Sequence, residues 1–246
     1  MIHWLMSILL TTATPTHQND SLAQTISAQL LYAVKTNKPA ESLLLQIAQL
    51  NPDTLQQSLK DYASKKAFWL NMYNAWYQLL AVQYPKAGKK IFRMKQIQIT
   101  GKFYSLDQIE HGILRKYRWK YSLGYFPSLF TPKHIRQSAV ASIDYRIHFA
   151  LNCGAKSCPA IAFYTPEKID QQLVLATKVF LQQETVIDDA CRTVTTTKII
   201  QWFIGDFGGR KKVLELLSTI TGKDLSGYRL KFAPYDWTRQ LLYFQE

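Results

Sequence analysis

The feature that most constrains the fold is a long apolar segment, residues 64–84, which contains the sequence AFWLNMYNAW and stops before Pro85. A proline disfavours helical geometry in the residue before it, so Pro85 marks the end of a helix. Large apolar side chains occupy most positions around this helix, as in helices that are buried on nearly all sides. We therefore predict a long core helix against which the rest of the chain packs.

Shorter elements are predicted on both sides of the core helix. The apolar spacing of the first half is helical, and Asn51 followed by Pro52 is typical of a helix start. The order of elements favours an α+β fold, in which a helix-rich N-terminal half packs on a small mixed or antiparallel sheet within a single domain. The predicted helices include residues 22–31, 39–50, 105–118, 165–183 and 211–221, and the predicted strands cover residues 95–99, 102–104, 143–152 and 192–200.

Composition excludes several classes of protein. The chain has 246 residues, of which 47% are apolar, and this is enough to bury a sizeable core. A chain this apolar is not intrinsically disordered. Its three cysteines are too few for a disulfide scaffold or a cysteine-rich zinc module.

The N-terminus has features of an export signal. Residues 4–10 are apolar, and Thr11 and Ala13 suit the small positions of a cleavage site. The run is far shorter than the ~20 residues that span a bilayer, and the alternative is the first turns of a core helix. We predict a signal peptide at residues 1–13, helices over residues 14–59 and the main domain over residues 60–240. The expected location is periplasmic or secreted, and otherwise cytoplasmic.

Charge is concentrated in one stretch of the chain. The net charge is +13, and residues 86–136 alone hold twelve basic and two acidic residues. Such a stretch is typical of a face that binds an anionic partner, or of ordinary solvated surface. No nucleic-acid-binding motif accompanies it, so we do not expect nucleic acid as the partner.

The segment DYRIHFALNCGAKSCP, residues 144–159, carries the strongest chemical signal. As a strand it would place Arg146, His148 and Asn152 on one face. Cys158 lies before a proline that could open a helix, and a helix N-terminus beside Lys156 would lower the pKa of the thiol. The alternatives are a small buried residue, a Cys153–Cys158 disulfide, or a zinc site that uses both cysteines and a histidine.

These residues suggest a nucleophilic site. Cys158 is the first choice for the nucleophile and Cys153 the second, with His111 or His148 as the base. The histidines have structural alternatives as well, in the core or on a helix surface. The candidates to orient the base are Glu110, Asp144 and Asn152. Arg115, Arg146 or backbone amides would hold an oxyanion or an anionic substrate.

The remaining polar motifs carry less chemistry. Asn71 and Asn74 share a face of the core helix, where they either tie it to a neighbouring segment or contact substrate. Asp206 begins a DFGG sequence similar to the magnesium motif of kinases, but the other kinase motifs are missing, so we assign it no function. We expect no cofactor and no metal.

Four motifs together resemble the DUF547 family, a domain of unknown function. They are AFWLNMYNAW (67–76), SLDQIEHGILR (105–115), DYRIHFALNCGAKSCPAI (144–161) and PYDW (234–237). The resemblance implies that His111, His148, Cys153 and Cys158 lie in family motifs, without naming their chemistry.

Two functions follow from these observations. The first is a thiol-dependent hydrolase or acyl-transfer enzyme acting on an anionic or peptide-like substrate. The second is a non-catalytic binding module with a basic face, in which the two cysteines form a structural disulfide. In neither case do we expect an integral membrane segment beyond the signal peptide.

Overall fold

The N-terminal half of the protein is built from helices, as predicted. The computed structural model describes residues 22–245, so the predicted signal peptide lies outside the described residues. Three helices come first: α1 (Leu22–Lys35), α2 (Glu41–Gln49) and α3 (Pro52–Ser58). The side chain of Asn51 caps α3 by accepting a hydrogen bond from the backbone N–H of Asp53, and this confirms the predicted helix start.

The long apolar segment forms the central helix, α4 (Tyr62–Gln83). A capping box between Asp61 and Ser64 fixes its first turn. Nearly every side chain from Ser64 to Ala81 is buried, and α4 shares one hydrophobic core with α1, α2 and α3. Within residues 22–245, no helix combines the length and the apolar character that crossing a membrane requires.

A hairpin and an unusual helix follow the central helix. A 3₁₀ helix (Gly88–Arg93) leads to β1 (Ile97–Ile99) and β2 (Lys102–Tyr104), which pair antiparallel as predicted. A capping box begins the next helix, since Ser105 and Gln108 exchange hydrogen bonds through their side chains and backbone N–H groups. The helix that it opens, Gln108–Leu114, is a π-helix. Such wide turns occur often at functional sites.

The second half combines short helices with a small mixed sheet. Strand β4 (Thr193–Thr196) pairs antiparallel with β3 (Val186–Asp188) and parallel with β5 (Arg229–Phe232), and these strands pack with Phe149 and Phe207 in a second apolar cluster. The predicted α+β class is confirmed. The elements in chain order are α5 (Lys133–Ser138), a 3₁₀ helix (Tyr145–Phe149), α6 (Ile169–Glu184), β3 (Val186–Asp188), β4 (Thr193–Thr196), α7 (Lys198–Trp202), α8 (Arg210–Thr221) and β5 (Arg229–Phe232).

The prediction of a strand at residues 143–152 is wrong. This segment is the 3₁₀ helix, which the side chain of Asp144 caps by accepting a hydrogen bond from the N–H of Arg146. A neighbouring strand is not needed, because Asn74 of α4 bonds the carbonyl of Ala150 and the N–H of Asn152. The face that a strand would have given to Arg146, His148 and Asn152 therefore does not exist.

The strand predicted at residues 192–200 is shorter than expected. It ends at Thr196, because the hydroxyl of Thr197 accepts a hydrogen bond from the N–H of Ile199 and begins α7. Because the strand ends early, α7 begins at Lys198 and places Trp202, at its last turn, beside the rings of Tyr235 and Trp237.

Candidate functional site

One cleft gathers most of the residues that the sequence singled out. It has a volume of about 650 Å³ and lies between the π-helix, the 3₁₀ helix Gly88–Arg93, α7 and the C-terminal segment. His111, His148, Cys153 and Cys158 all line it, together with Glu110. Residues from six separate parts of the chain meet there, and this is the usual construction of a ligand site.

The two cysteines are joined in a disulfide at the wall of the cleft. Cys153 is partly exposed, whereas Cys158 is buried. The N–H of Cys153 donates to Sγ of Cys158 over 2.9 Å, and the hydroxyl of Tyr235 lies 3.0 Å from Sγ of Cys158 and 3.1 Å from Sγ of Cys153. After reduction, the same two donors would stabilise a thiolate on Cys158.

Buried hydrogen bonds hold the cysteine loop in place. Oδ1 of Asn152 accepts from the N–H of Gly154, and Nδ2 of Asn152 donates to the carbonyl of Pro159. Gly154 has a φ of +67°, and a Cβ there would come within 2.5 Å of the ring of Tyr77, so only glycine fits. Asn152 thus shapes the cysteine loop and does not line the cleft.

The helix predicted to start at Pro159 is absent, and Cys158 is not a helix cap. The segment after Cys158 pairs with the C-terminal segment instead, where the N–H of Ile161 donates to the carbonyl of Tyr243 over 2.8 Å. A helix dipole therefore does not act on the Cys158 thiol. Lys156, the other predicted source of thiolate stabilisation, points to Asp236 at 3.8 Å and is exposed.

A buried chain of polar groups links the two histidines. Nε2 of His148 lies 2.9 Å from Oδ2 of Asp206, and Nε of Arg115 donates to the same oxygen over 2.6 Å. Nη1 of Arg115 lies 2.8 Å from Nδ1 of His111. The side chains of Arg115 and Asp206 are fully buried. The order of the chain is His148, Asp206, Arg115, His111.

This chain decides which histidine can accept a proton. Arginine can only donate, so Nδ1 of His111 is the acceptor of the Arg115 hydrogen bond and the His111 proton sits on Nε2. An ionised Asp206 can only accept, so Nε2 of His148 carries the proton and Nδ1 keeps its lone pair. Nδ1 of His148 has no hydrogen-bond partner within residues 22–245. Nδ1 of His148 can therefore accept a proton, whereas Nδ1 of His111 is occupied by the hydrogen bond from Arg115.

Burial and charge set the protonation of the cleft. Burial lowers the pKa of His148, and the hydrogen bond to Asp206 opposes this effect in part. Burial, then the charge of Arg115, holds the pKa of His111 well below its usual value. Burial favours a raised pKa for Asp206, but the hydrogen bonds from His148 and Arg115 outweigh it and lower that pKa. Burial raises the pKa of Glu110 to about 7.

Other predicted site residues lie outside the cleft. Asp144 and Arg146 belong to a separate ion cluster with Lys66, and neither makes a hydrogen bond to a histidine. Asn71 and Asn74 are fully buried and bond backbone groups of other segments, which confirms that they tie the core helix to its neighbours.

Sequence reasoning missed part of the site. Asp206 begins the DFGG sequence, to which the sequence analysis assigns no function, because its similarity to a kinase motif is not supported by other kinase motifs. Tyr235 and Trp237 belong to the PYDW motif and form an aromatic wall with Trp202, with ring centroids 4.6–5.7 Å apart. The motif signalled these two aromatic residues, whereas nothing in the sequence signalled Trp202.

The rim of the cleft is basic. Four cations of the basic stretch 86–136 line it: Lys89, Lys90, Arg93 and Lys120. Lys120 is paired with Asp107 over 2.7 Å, and Nζ of Lys89 lies 5.3 Å from the ring centre of Trp237. The cleft therefore combines an apolar, aromatic interior with a positive entrance, which suits a substrate that carries a negative charge.

Comparison with known proteins places the chain in a family. The family model described as "Protein of unknown function, DUF547" matches residues 56–181, just over half of the chain. The chain belongs to the DUF547 family. The region matched to DUF547 includes both histidines and both cysteines of the cleft and ends before Asp206. No curated protein and no solved structure matches this DUF547 protein.

Metal binding has little support in this part of the chain. Across residues 22–245, no group of three or more histidine, cysteine or acidic side chains is arranged to hold a metal ion. The two cysteines are bonded to each other, and one ring nitrogen of each histidine is held by a protein group: Nε2 of His148 by Asp206 and Nδ1 of His111 by Arg115.

Proposed function

We propose that the cleft is the active site of a cysteine-dependent hydrolase or acyl-transfer enzyme. Cys158 is its nucleophile, His148 its base and Asp206 the group that orients the base. The supporting observation is that the cysteine pair and a histidine with one free nitrogen, fixed by a buried carboxylate, line the same cleft. A nucleophile, a base and a third group that orients the base form the usual arrangement for acyl transfer.

The disulfide means that this chemistry needs the reduced protein. An external dithiol would supply two electrons and two protons, converting Cys153 and Cys158 to thiols and becoming a disulfide itself. The oxidised cleft described here is then the resting form. The disulfide is also compatible with export, which we propose on the strength of residues 4–13.

The proposed reaction has two steps. Sγ–H of Cys158 gives its proton to Nδ1 of His148, and the thiolate attacks the acyl carbon of the substrate. The bond to the leaving group breaks, and the leaving group takes the proton from His148. Water, or an acceptor in the transfer reaction, then cleaves the thioester. Tyr235 and the N–H of Cys153 stabilise the thiolate before attack.

A matched pair of variants tests this proposal. Both substitutions prevent the disulfide. Cys153→Ser keeps the proposed nucleophile, Cys158, whereas Cys158→Ser removes that nucleophile. With p-nitrophenyl acetate as an activated acyl probe, Cys153→Ser should release about one equivalent of p-nitrophenol in a burst, and mass spectrometry should find the acetyl group on Cys158. Cys158→Ser and the oxidised wild type should show no burst. An acetyl group only on Cys191, the exposed free thiol, would contradict the proposal.

A second function is supported by the disulfide and the basic rim. If both sulfurs stay oxidised, the protein is a binding module whose cleft holds an anionic ligand against Lys89, Lys90, Arg93 and Lys120. Binding of an anionic polymer such as heparin by the oxidised protein should then fall steeply with salt. Reversing Lys89, Lys90 and Arg93 together should weaken that binding, and unchanged binding in this variant would exclude the module.

A further inference from the structure

An exposed hairpin stands beside the cleft. Residues 117–130, called here the aromatic hairpin, have the sequence YRWKYSLGYFPSLF. The N–H of Trp119 donates to the carbonyl of Phe126 over 3.0 Å, and the N–H of Ser128 donates to the carbonyl of Tyr117 over 2.7 Å. The hydroxyl of Ser122 bonds the backbone on both sides of the turn. These bonds give the hairpin a defined shape.

The turn of the hairpin is anchored next to Asp206. The N–H of Gly205 donates to the carbonyl of Leu123 over 2.8 Å. Gly124 has a φ of +92°, and a Cβ there would come within 2.5 Å of Oδ1 of Asp206. The hairpin therefore lies directly on the buried chain of polar groups, and Tyr121 and Leu123 reach the wall of the cleft.

The hairpin exposes large apolar side chains to solvent. Phe130 is 92% exposed, Leu129 77% and Phe126 66%. Trp119, Tyr121, Leu123 and Tyr125 are exposed as well. Phe126, Leu129 and Phe130 project from the surface and do not line the cleft. Contiguous apolar exposure of this kind on a monomer usually marks a contact with a partner or a membrane.

The surroundings of the hairpin are positively charged. Residues 111–143 contain six lysines and arginines and no aspartate or glutamate, and four of these cations remain after Arg115 is paired with Asp206 and Lys120 with Asp107. Lys133 and Arg136 are exposed just after the hairpin, and Arg136 donates to the carbonyl of Leu129 over 3.1 Å. Projecting aromatic and leucine side chains flanked by cations are the combination that binds anionic lipid surfaces.

We propose that the aromatic hairpin docks on an anionic lipid bilayer, with Leu129 and Phe130 inserted at the interface and Lys133 and Arg136 against the headgroups. A symmetric contact between two copies would bring the same cationic surface against itself, which like charges oppose. Nucleic acid would gain nothing from the projecting Leu129, because bases stack on aromatic rings. Docking would place the entrance of the cleft next to the membrane, and it does not depend on the cysteine chemistry.

Vesicle co-sedimentation tests this proposal on the full-length oxidised protein. Wild type should bind vesicles of equal parts phosphatidylglycerol and phosphatidylcholine and should bind pure phosphatidylcholine at least about tenfold more weakly. Leu129→Ser with Phe130→Ser should lower binding to the anionic vesicles about tenfold or more. The matched control, Val174→Ser with Leu175→Ser on the exposed face of α6, should leave binding within about twofold of wild type.

Charge variants test the second half of the contact. Lys133→Glu with Arg136→Glu should weaken binding to anionic vesicles by about tenfold and should reduce its dependence on salt. Lys168→Glu with Lys178→Glu, two exposed lysines at α6, should have much less effect. Circular dichroism checks that each variant folds.

Three results would overturn the proposal. The first is no binding of wild type to the anionic vesicles, and the second is equal losses in the hairpin and α6 variants. The third is a concentration-dependent dimer that the hairpin substitutions abolish while vesicle binding is retained, since the hairpin would then contact a second copy. Because no thiol is involved, each result is independent of the acyl-transfer experiment.

Discussion

Asp206 and Asp144 are both buried carboxylates that bind two basic groups, but their partners differ in kind. Asp144 is bonded by a lysine, Lys66, over 2.9 Å and by an arginine, Arg146, over 2.7 Å. Asp206 is bonded by Arg115 and by His148. The second cluster thus contains a histidine, the residue type that most often exchanges a proton in proteins, and the first does not.

The difference in partners matches a difference in place. Through His148 the Asp206 cluster borders the cleft, whereas neither Asp144 nor its two partners line it. A buried carboxylate between fixed cations stabilises a fold, because removing it leaves charges without compensation. A buried carboxylate that is hydrogen-bonded to a histidine also fixes the orientation of the imidazole ring. The same side chain therefore has a structural role in one cluster and a positioning role in the other.

The largest expected effect is on stability, at the structural cluster. Asp144→Asn should lower the free energy of unfolding by about 3–5 kcal/mol, because the buried Lys66 loses its closest counter-charge and keeps only the exposed Asp170, at 3.5 Å. Urea unfolding followed by circular dichroism measures this loss. Asp170→Asn is the matched control: Asp170 bonds the same Arg146 but is exposed, so the loss should stay below about 1 kcal/mol.

Asp206→Asn should combine a loss of stability with a chemical effect. The fully buried Arg115 loses its counter-charge, which should cost about 3 kcal/mol. Without the carboxylate the imidazolium of His148 is less stable, so alkylation of reduced Cys158 at pH 6 should slow about tenfold, or one pKa unit. Asp144→Asn should leave that rate within about twofold. Equal slowing in both variants would mean that the two clusters do not differ in function.

The smallest expected effect is on how the stability difference between wild type and Asp144→Asn changes at acidic pH. Burial favours a raised pKa for Asp144, but hydrogen bonds from Arg146 and Lys66 outweigh it and lower that pKa to about 2. A carboxyl whose pKa is lower in the folded state than in the unfolded state stabilises the protein fully at pH values above its unfolded-state pKa. That stabilisation is lost as the pH falls through its folded-state pKa. The advantage of wild type over Asp144→Asn should therefore shrink by about 2 kcal/mol between pH 4 and pH 2. A constant difference would mean that Asp144 is not held ionised by its cluster.

Local signals in the sequence predicted much of the fold. The long core helix before Pro85, the helix start at Asn51 and the two short strands at residues 95–99 and 102–104 depend on neighbouring residues, and the structure confirms each of them. The segment 143–152 could not be predicted in the same way. Its backbone is bonded by Asn74, and nothing local shows that a side chain 76 to 78 residues away replaces a neighbouring strand.

The sequence predicted most of the residues of the candidate site, but it did not predict how they contact one another. The sequence singled out His111, His148, Cys153 and Cys158, and the structure brings them to one cleft. The choice between the histidines depends on Asp206 and Arg115, which are 91 residues apart in the chain and meet only after folding. Spacing alone carries no information about such a contact.

The pH dependence of Cys158 alkylation tests the central claim most directly, with Cys153→Ser as the background that keeps the thiol free. If His148 is the base, the rate should stay high down to about pH 6, well below the ordinary thiol pKa of about 8.5. His148→Gln should slow the reaction at pH 6 at least about tenfold, and His111→Gln less than about twofold. An ordinary thiol profile in the background protein, or a larger loss in His111→Gln than in His148→Gln, would contradict the account.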